Sequence, residues 1–77
     1  VEMIQLKIIA PEGILASEEC NLITLLSISG MVQIMPGHEN MLINLVSGDI
    51  VYDGKRVNIK SGFAKVYDNS CEILIER

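Results

Sequence analysis

Apolar and polar residues alternate along this chain in short runs separated by turn-forming residues. From Met3 to Ile9, residues Ile4, Leu6 and Ile8 fall on one face and Met3, Gln5 and Lys7 on the other. That period of two is the mark of a half-buried strand. Ala10-Pro11-Glu12-Gly13 reads as a turn, because proline donates nothing to a ladder and glycine follows two places later. Ile14-Leu15-Ala16 forms a short strand, followed by the acidic pair Glu18-Glu19. In Asn21 to Ile28 the inward residues are expected to be Ile23 and Leu25, while Leu22 and Leu26 leave the phase ambiguous. Either both faces are covered or a bulge shifts the register.

Ser27-Ile28-Ser29-Gly30 reads as a loop and Met31 to Met35 as a short apolar strand. Asp49 to Tyr52 is a strand, and Asp53-Gly54 is a strong hairpin signal. Val57 and Ile59 alternate with Asn58 and Lys60 on the return, and Ser61-Gly62 reads as a further turn. Phe63 to Tyr67 is a strand, Asp68-Asn69-Ser70 a turn, and Cys71 to Ile75 a last strand with Cys71, Ile73 and Ile75 inward. No window carries a capped 3.6-residue period. The pattern predicts one all-β domain over residues 1–77, a sandwich or flattened barrel.

The joint between the two halves is Ile34 to Gly48. Pro36-Gly37 pre-forms a tight turn at one end and Ser47-Gly48 closes the other. Between them lie the polar bend His38-Glu39-Asn40 and an apolar run from Met41 to Val46, with length for one helical turn between its Gly and Pro brackets. Met31 and Val32 are adjacent on a strand and face opposite sides, so one of them is expected at the surface.

Composition narrows the function classes. The chain has 77 residues, 49% of them hydrophobic, with two Tyr, one Phe and no Trp. So short a chain buries only about 60–65% of its unfolded surface, and an aliphatic core of this kind suits a sheet. The net charge is −4, with six basic residues and no basic cluster, which argues against nucleic acid and against direct binding to an anionic membrane. No apolar run approaches the ~20 residues needed to span a bilayer. The chain opens on Val1, so loss of an initiator Met is expected, and a cytoplasmic setting is the default.

Candidate chemistry is sparse. Cys20 and Cys71 have neither metal-site nor redox-motif spacing and are expected to be buried free thiols in a reducing compartment. One histidine, His38, is too few for a structural zinc site without both thiols nearby. Glu18 and Glu19 are sequence neighbours and point apart. The six glycines are dispersed at turns and form no phosphate loop. A binding or scaffolding module follows by exclusion, with no catalytic residues, cofactor or metal. His38 carries two readings: a loop histidine bonding a nearby carbonyl, or a contact residue at the tip of a rigid turn.

In order along the chain, Pro11-Glu12-Gly13, Gly30, Ile34-Met35-Pro36-Gly37-His38, Leu42, Ser47-Gly48, Ser61-Gly62-Phe63, Val66 and the closing strand Cys71 to Ile75 resemble the epsilon subunit of F-type ATP synthases. The resemblance implies an N-terminal β-sandwich of two five-stranded sheets on the rotor of the central stalk. Its expected partners are the gamma subunit and the c-ring, with proton flow coupled to ATP synthesis and no catalysis of its own. Such a subunit is peripheral to the cytoplasmic face of the bacterial inner membrane and monomeric when isolated. By position, Ser29, Gly30, Met31 and Val32 would face the c-ring. His38, Glu39, Asn40, Met41, Leu42 and Ile43 would lie where gamma and the c-ring meet, with Pro36, Gly37 and Gly48 as structural turns.

The chain departs from the family pattern at several places. Met31 replaces an acidic residue, Gln33 a glycine, and Met41 and Ser47 prolines. The first exchange swaps a polar c-ring contact for an apolar one. The family's C-terminal helical hairpin has no counterpart up to Arg77, so neither an inhibitory arm nor a nucleotide site dependent on it is expected. A peptide- or ligand-binding adaptor of the same fold is the alternative, and a thiol-dependent enzyme a third possibility.

Overall fold

A computed structural model describes residues 2–77. Nine strands follow one another: β1 Ile4–Ala10, β2 Gly13–Cys20, β3 Ile23–Ser27, β4 Gly30–Ile34, β5 Met41–Leu45, β6 Gly48–Tyr52, β7 Lys55–Ile59, β8 Ser61–Tyr67 and β9 Ser70–Glu76. They form an all-β sandwich of a five-stranded layer, β2-β1-β9-β8-β5, and a four-stranded layer, β4-β3-β6-β7. The layers are not separate sheets. A single antiparallel pair, Ser27 with Leu45, joins β3 to β5, flanked by Ile28 N–H to Asn44 O and Val46 N–H to Leu26 O.

The alternation read from the sequence sets which side chains point inward. Ile4, Leu6 and Ile8 from β1 and Cys71, Ile73 and Ile75 from β9 are buried on the same side of the five-stranded layer. Ile23, Leu25 and Ile34 cover them from the other layer, so one continuous aliphatic core fills the sandwich. At ~25 cal/mol per Å² of apolar surface removed from water, this burial is the main stabilising contribution in so small a domain. In β3 the phase resolves without a bulge: Ile23 and Leu25 are buried, and Leu22 and Leu26 lie at the surface.

Three local expectations are corrected. The strand expected at Ile14 to Ala16 runs from Gly13 to Cys20 and includes Glu18-Glu19. It lies along the whole of β1, with one register shift at Ile8/Ile9, and as an outer strand it holds carboxylates at its rim without desolvating them. Met41 to Leu45 is a strand rather than a helical turn, because it finds a full partner in β8. Ser61-Gly62 is not a turn: β7 pairs with β6 while β8 pairs with β5 and β9. The chain therefore steps between layers through Lys60, whose N–H donates to Glu76 O at 2.8 Å. The hairpin signals behave as their residues dictate. Asp53-Gly54 and Asp68-Asn69 both have positive φ at two central positions, the backbone of a type I′ turn.

β5 and β6 are nearly one strand. They run along the same edge of β3, bend at Val46 to Gly48, and carry the chain from one layer to the other. Gly48 has φ of +153°, and a Cβ there would stand 3.2 Å from Leu26 Cδ2. The open side of the sandwich is clasped by Lys55, whose Nζ donates to Glu18 Oε1 at 2.7 Å and stands 5.9 Å from the Tyr52 ring centre.

Candidate functional site

The β3–β4 hairpin ends in a two-residue tip, Ile28-Ser29, held from within. Ser27, a buried polar residue, donates its hydroxyl to Gly30 O at 2.7 Å and accepts from Ser29 N–H at 3.1 Å. These two hydrogen bonds satisfy Ser27 internally and leave the tip free to present Ile28, which is 78% exposed. Beyond the tip, Met31 faces outward at 69% exposure while Val32 packs on the core, the one-in, one-out arrangement expected of adjacent strand residues.

The bend of the hairpin brings β5 alongside this tip. Ser27, Ile28, Ser29 and Val32 on one side and Met41, Leu42, Ile43 and Asn44 on the other enclose an open depression of about 290 Å³. Its apolar side chains include the half-buried Val32 and Met41 and the buried Ile43, and Leu42, 64% exposed, stands among them. Five residues singled out in the sequence, Ser29, Val32, Met41, Leu42 and Ile43, thus come together. Gly30 and Met31 adjoin them on β4. Ser27, Ile28 and Asn44 were missed; an isoleucine inside a Ser-Ile-Ser-Gly turn was the signal for the second.

His38 and Glu39 are placed differently. Met35 to His38 is a type II turn, with His38 N–H bonded to Met35 O at 3.1 Å and Gly37 at φ +83°. The turn is pinned to the β8–β9 hairpin, since Gly37 N–H donates to Asn69 Oδ1 at 2.8 Å and Asp68 N–H to Asn40 Oδ1 at 3.4 Å. The His38 ring lies 2.8 Å through Nδ1 from Glu39 O. His38 and Glu39 are therefore not among the residues around the depression.

A second apolar surface crosses the outer face of the five-stranded layer. Ile14, Ile9, Leu74 and Phe63 lie in one cross-strand row on β2, β1, β9 and β8, with Ile14 and Leu74 well exposed. Beside it a row of Ser17, Lys7, Glu72 and Lys65 is polar, and part of it lines a depression of about 280 Å³ with Gln5, Ser70 and Tyr67.

The thiols do not make a nucleophile. Cys20 and Cys71 are fully buried. Burial pushes the Cys20 thiol up to about 11, helped by the Asp53 and Glu18 charges, and the Cys71 thiol up to about 12. A reactive thiolate needs the opposite shift and access. Among the described residues no cluster of His, Cys, Asp and Glu could hold a metal ion, and no helix is long and apolar enough to cross a membrane.

Comparison with known proteins agrees with this architecture. Residues 3–77 match the model of the beta-sandwich domain of the ATP synthase delta/epsilon chain. The ATP synthase epsilon chain of Herpetosiphon aurantiacus is 35% identical over 77 residues, covering 95% of this chain and 57% of that protein. A chain in the Euglena gracilis mitochondrial ATP synthase, from a structure of its OSCP, F1 and c-ring parts, superposes with a TM-score of 0.82 at 26% identity. It is matched over 97% of this chain and 51% of its own length. A chain of the Tetrahymena thermophila central stalk and c-ring shares the fold, with a TM-score of 0.84 at 19% identity over 99% of this chain and 65% of that one. This chain thus spans between half and two thirds of the length of these relatives.

Proposed function

Because the chain belongs to the family of ATP synthase delta/epsilon beta-sandwich domains, we propose that it serves as a non-catalytic rotor subunit of the central stalk. It links the gamma subunit to the c-ring, coupling proton translocation to ATP synthesis. The observation that carries the reading is the apolar depression at the hairpin tip. Two segments of the chain, 27–32 and 41–44, come together there around one exposed surface, and no interior packing need explains Ile28 and Leu42 in it or Met31 beside it.

A rotor coupler needs two faces, one for each neighbour, and this fold carries two apolar ones. The tip surface suits the c-ring loops. The Ile14–Ile9–Leu74–Phe63 row and the pinned Pro36-Gly37-His38 turn are the candidates for the gamma side. Rigid elements hold all three, which suits a part that transmits rotation rather than one that reacts. The whole domain, residues 1–77, acts as one unit, monomeric in isolation and peripheral to the membrane, on the cytoplasmic face of the inner membrane in a bacterium.

The test is a pull-down of this chain with a matched gamma subunit, with His38→Ala alongside. Wild type is expected to bind at micromolar concentration and His38→Ala to bind more weakly, with folding changed by under about 1 kcal/mol. Failure of wild-type protein to bind gamma together with its c-ring would overturn the reading. Equal binding by the two forms would move the gamma face from the turn to the apolar row.

A further inference from the structure

The outer face of the five-stranded layer carries a second feature beside its apolar row. Lys7 on β1, Glu72 on β9 and Lys65 on β8 stand in register on three adjacent strands. Across the sheet their charges run positive, negative, positive. Ile9, Leu74 and Phe63 of the apolar row lie two residues away on the same three strands, so an apolar stripe and a charged stripe run side by side. None of the three charges has an ion-pair partner: among the described residues the salt bridges are Lys55–Glu18, Arg56–Asp49 and Arg77–Glu12. Lys65 leans over the Tyr67 ring, with Nζ 4.8 Å from its centre, while Lys7 and Glu72 are half-buried beside the polar depression.

We infer that this face receives an amphipathic helix of the gamma subunit, laid across the strands, whose flank presents acid, base and acid in that order to Lys7, Glu72 and Lys65. The inference rests on the gamma reading of this face and adds what the partner must carry. Neighbouring strands stand ~4.8 Å apart and a helix advances ~5.4 Å per turn, so successive turns meet successive strands. Side chains three or four residues apart on the helix line up with the three charges, while the adjoining apolar stripe covers Leu74 and Phe63. The apolar row holds the helix without fixing its position, because Ile9, Leu74 and Phe63 are alike to a helix that slides. The charged row fixes it. A shift of one turn sets acid against Glu72 and base against Lys65, and a flank of a single sign meets a like charge in any register.

Exchanging two residues tests the order alone. The double variant Lys65→Glu/Glu72→Lys keeps the net charge, the apolar row and an opposite-charge pair across β8 and β9, yet its row runs positive, positive, negative. It is expected to bind the matched gamma subunit at least about tenfold more weakly than wild type, and Glu72→Lys alone to lose a comparable factor. Lys60→Glu, a reversal outside the row, should stay within about twofold. Raising NaCl from 50 to 500 mM should weaken wild-type binding at least about fivefold and the double variant much less. A gamma variant with acid and base exchanged along its docking helix should recover binding to the double variant. Thermal unfolding checks that each variant folds as wild type does. Wild-type affinity in the double variant, or no recovery by the exchanged gamma, overturns the inference and leaves the rotor reading in place. A dimer of this chain that the exchange abolishes assigns the row to a second copy and overturns it equally. No binding of gamma by wild type in any salt removes the rotor reading and the inference with it.

Discussion

Ile73 and Leu74 are sequence neighbours with opposite fates, and the contrast tests the packing directly. Ile73 is fully buried at the centre of β9, paired with Ile8 on β1 and Ala64 on β8. Leu74 is exposed on the outer face, between Ile9 and Phe63. Truncating Ile73 to Ala removes three carbons from the core. At about 0.8 kcal/mol per buried methylene the transfer contribution alone is about 2.4 kcal/mol. The cavity contribution adds to it, because the neighbours come from strands locked on both sides and cannot collapse into the space. The expected loss is about 2–5 kcal/mol, against a whole-domain stability on the order of 4–12 kcal/mol for a chain of this length. Leu74→Ala should cost under about 1 kcal/mol. Urea denaturation followed by circular dichroism measures both, with the slope checked for constancy so that midpoint shifts report stability. Comparable losses for the two variants would refute the assigned parity of β9 and, with it, the core.

The buried thiols make stability depend on alkaline pH. Unfolded thiols titrate near about 8.5, whereas Cys20 and Cys71 are held at about 11 and about 12 by burial. The native state therefore keeps protons that the unfolded state gives up. Their contribution is complete below about 8.5 and falls as pH rises toward those native values. Urea midpoints at pH 7, 9 and 10 should decline in that order; an unchanged midpoint would rule the effect out. The same burial predicts that a thiol reagent at pH 8 labels neither cysteine in the native protein and both in guanidinium chloride. Gly62→Ala should destabilise by about 1–3 kcal/mol because its Cβ would stand 2.8 Å from Leu74 O, forcing β8 and β9 apart. Thermal unfolding with no shift would show that their register is wrong.

Most of the architecture was legible because its causes are local. The period-two runs in β1 and β9 depend only on which side chains the core wants, and Asp53-Gly54 admits few backbone shapes besides a hairpin turn. What was not legible depends on partners distant in sequence. Ser61-Gly62 has the composition of a turn, yet it extends a strand because Gly62 must lie against the Leu74 carbonyl, a contact no local pattern encodes. The acidic end of β2 was missed for a similar reason, since its strand character comes from the length of β1 beside it. At the candidate site, the residues of 29–32 and 41–43 could be named from the sequence, but their convergence on one depression needed the β3–β5 pairing. The separation of His38 from that depression followed from Asn69, which pins the turn from another hairpin.

The first and last strands pair side by side and run in the same direction, from Gln5 beside Ser70 to Ile9 beside Leu74. Arg77 accordingly ends up near Glu12, with Nη1 3.3 Å from Oε2, while Glu2 stays at the far end beside Asn69. Tension applied between the two ends of the domain is then directed along the strands. The hydrogen bonds joining β1 to β9 resist it together, in shear, instead of parting one after another like a zipper. Forced unfolding would meet a single large barrier rather than a series of small ones. The parallel pairing of the first and last strands thus makes the two ends of the chain a clamp that closes the five-stranded layer and parts only as a whole.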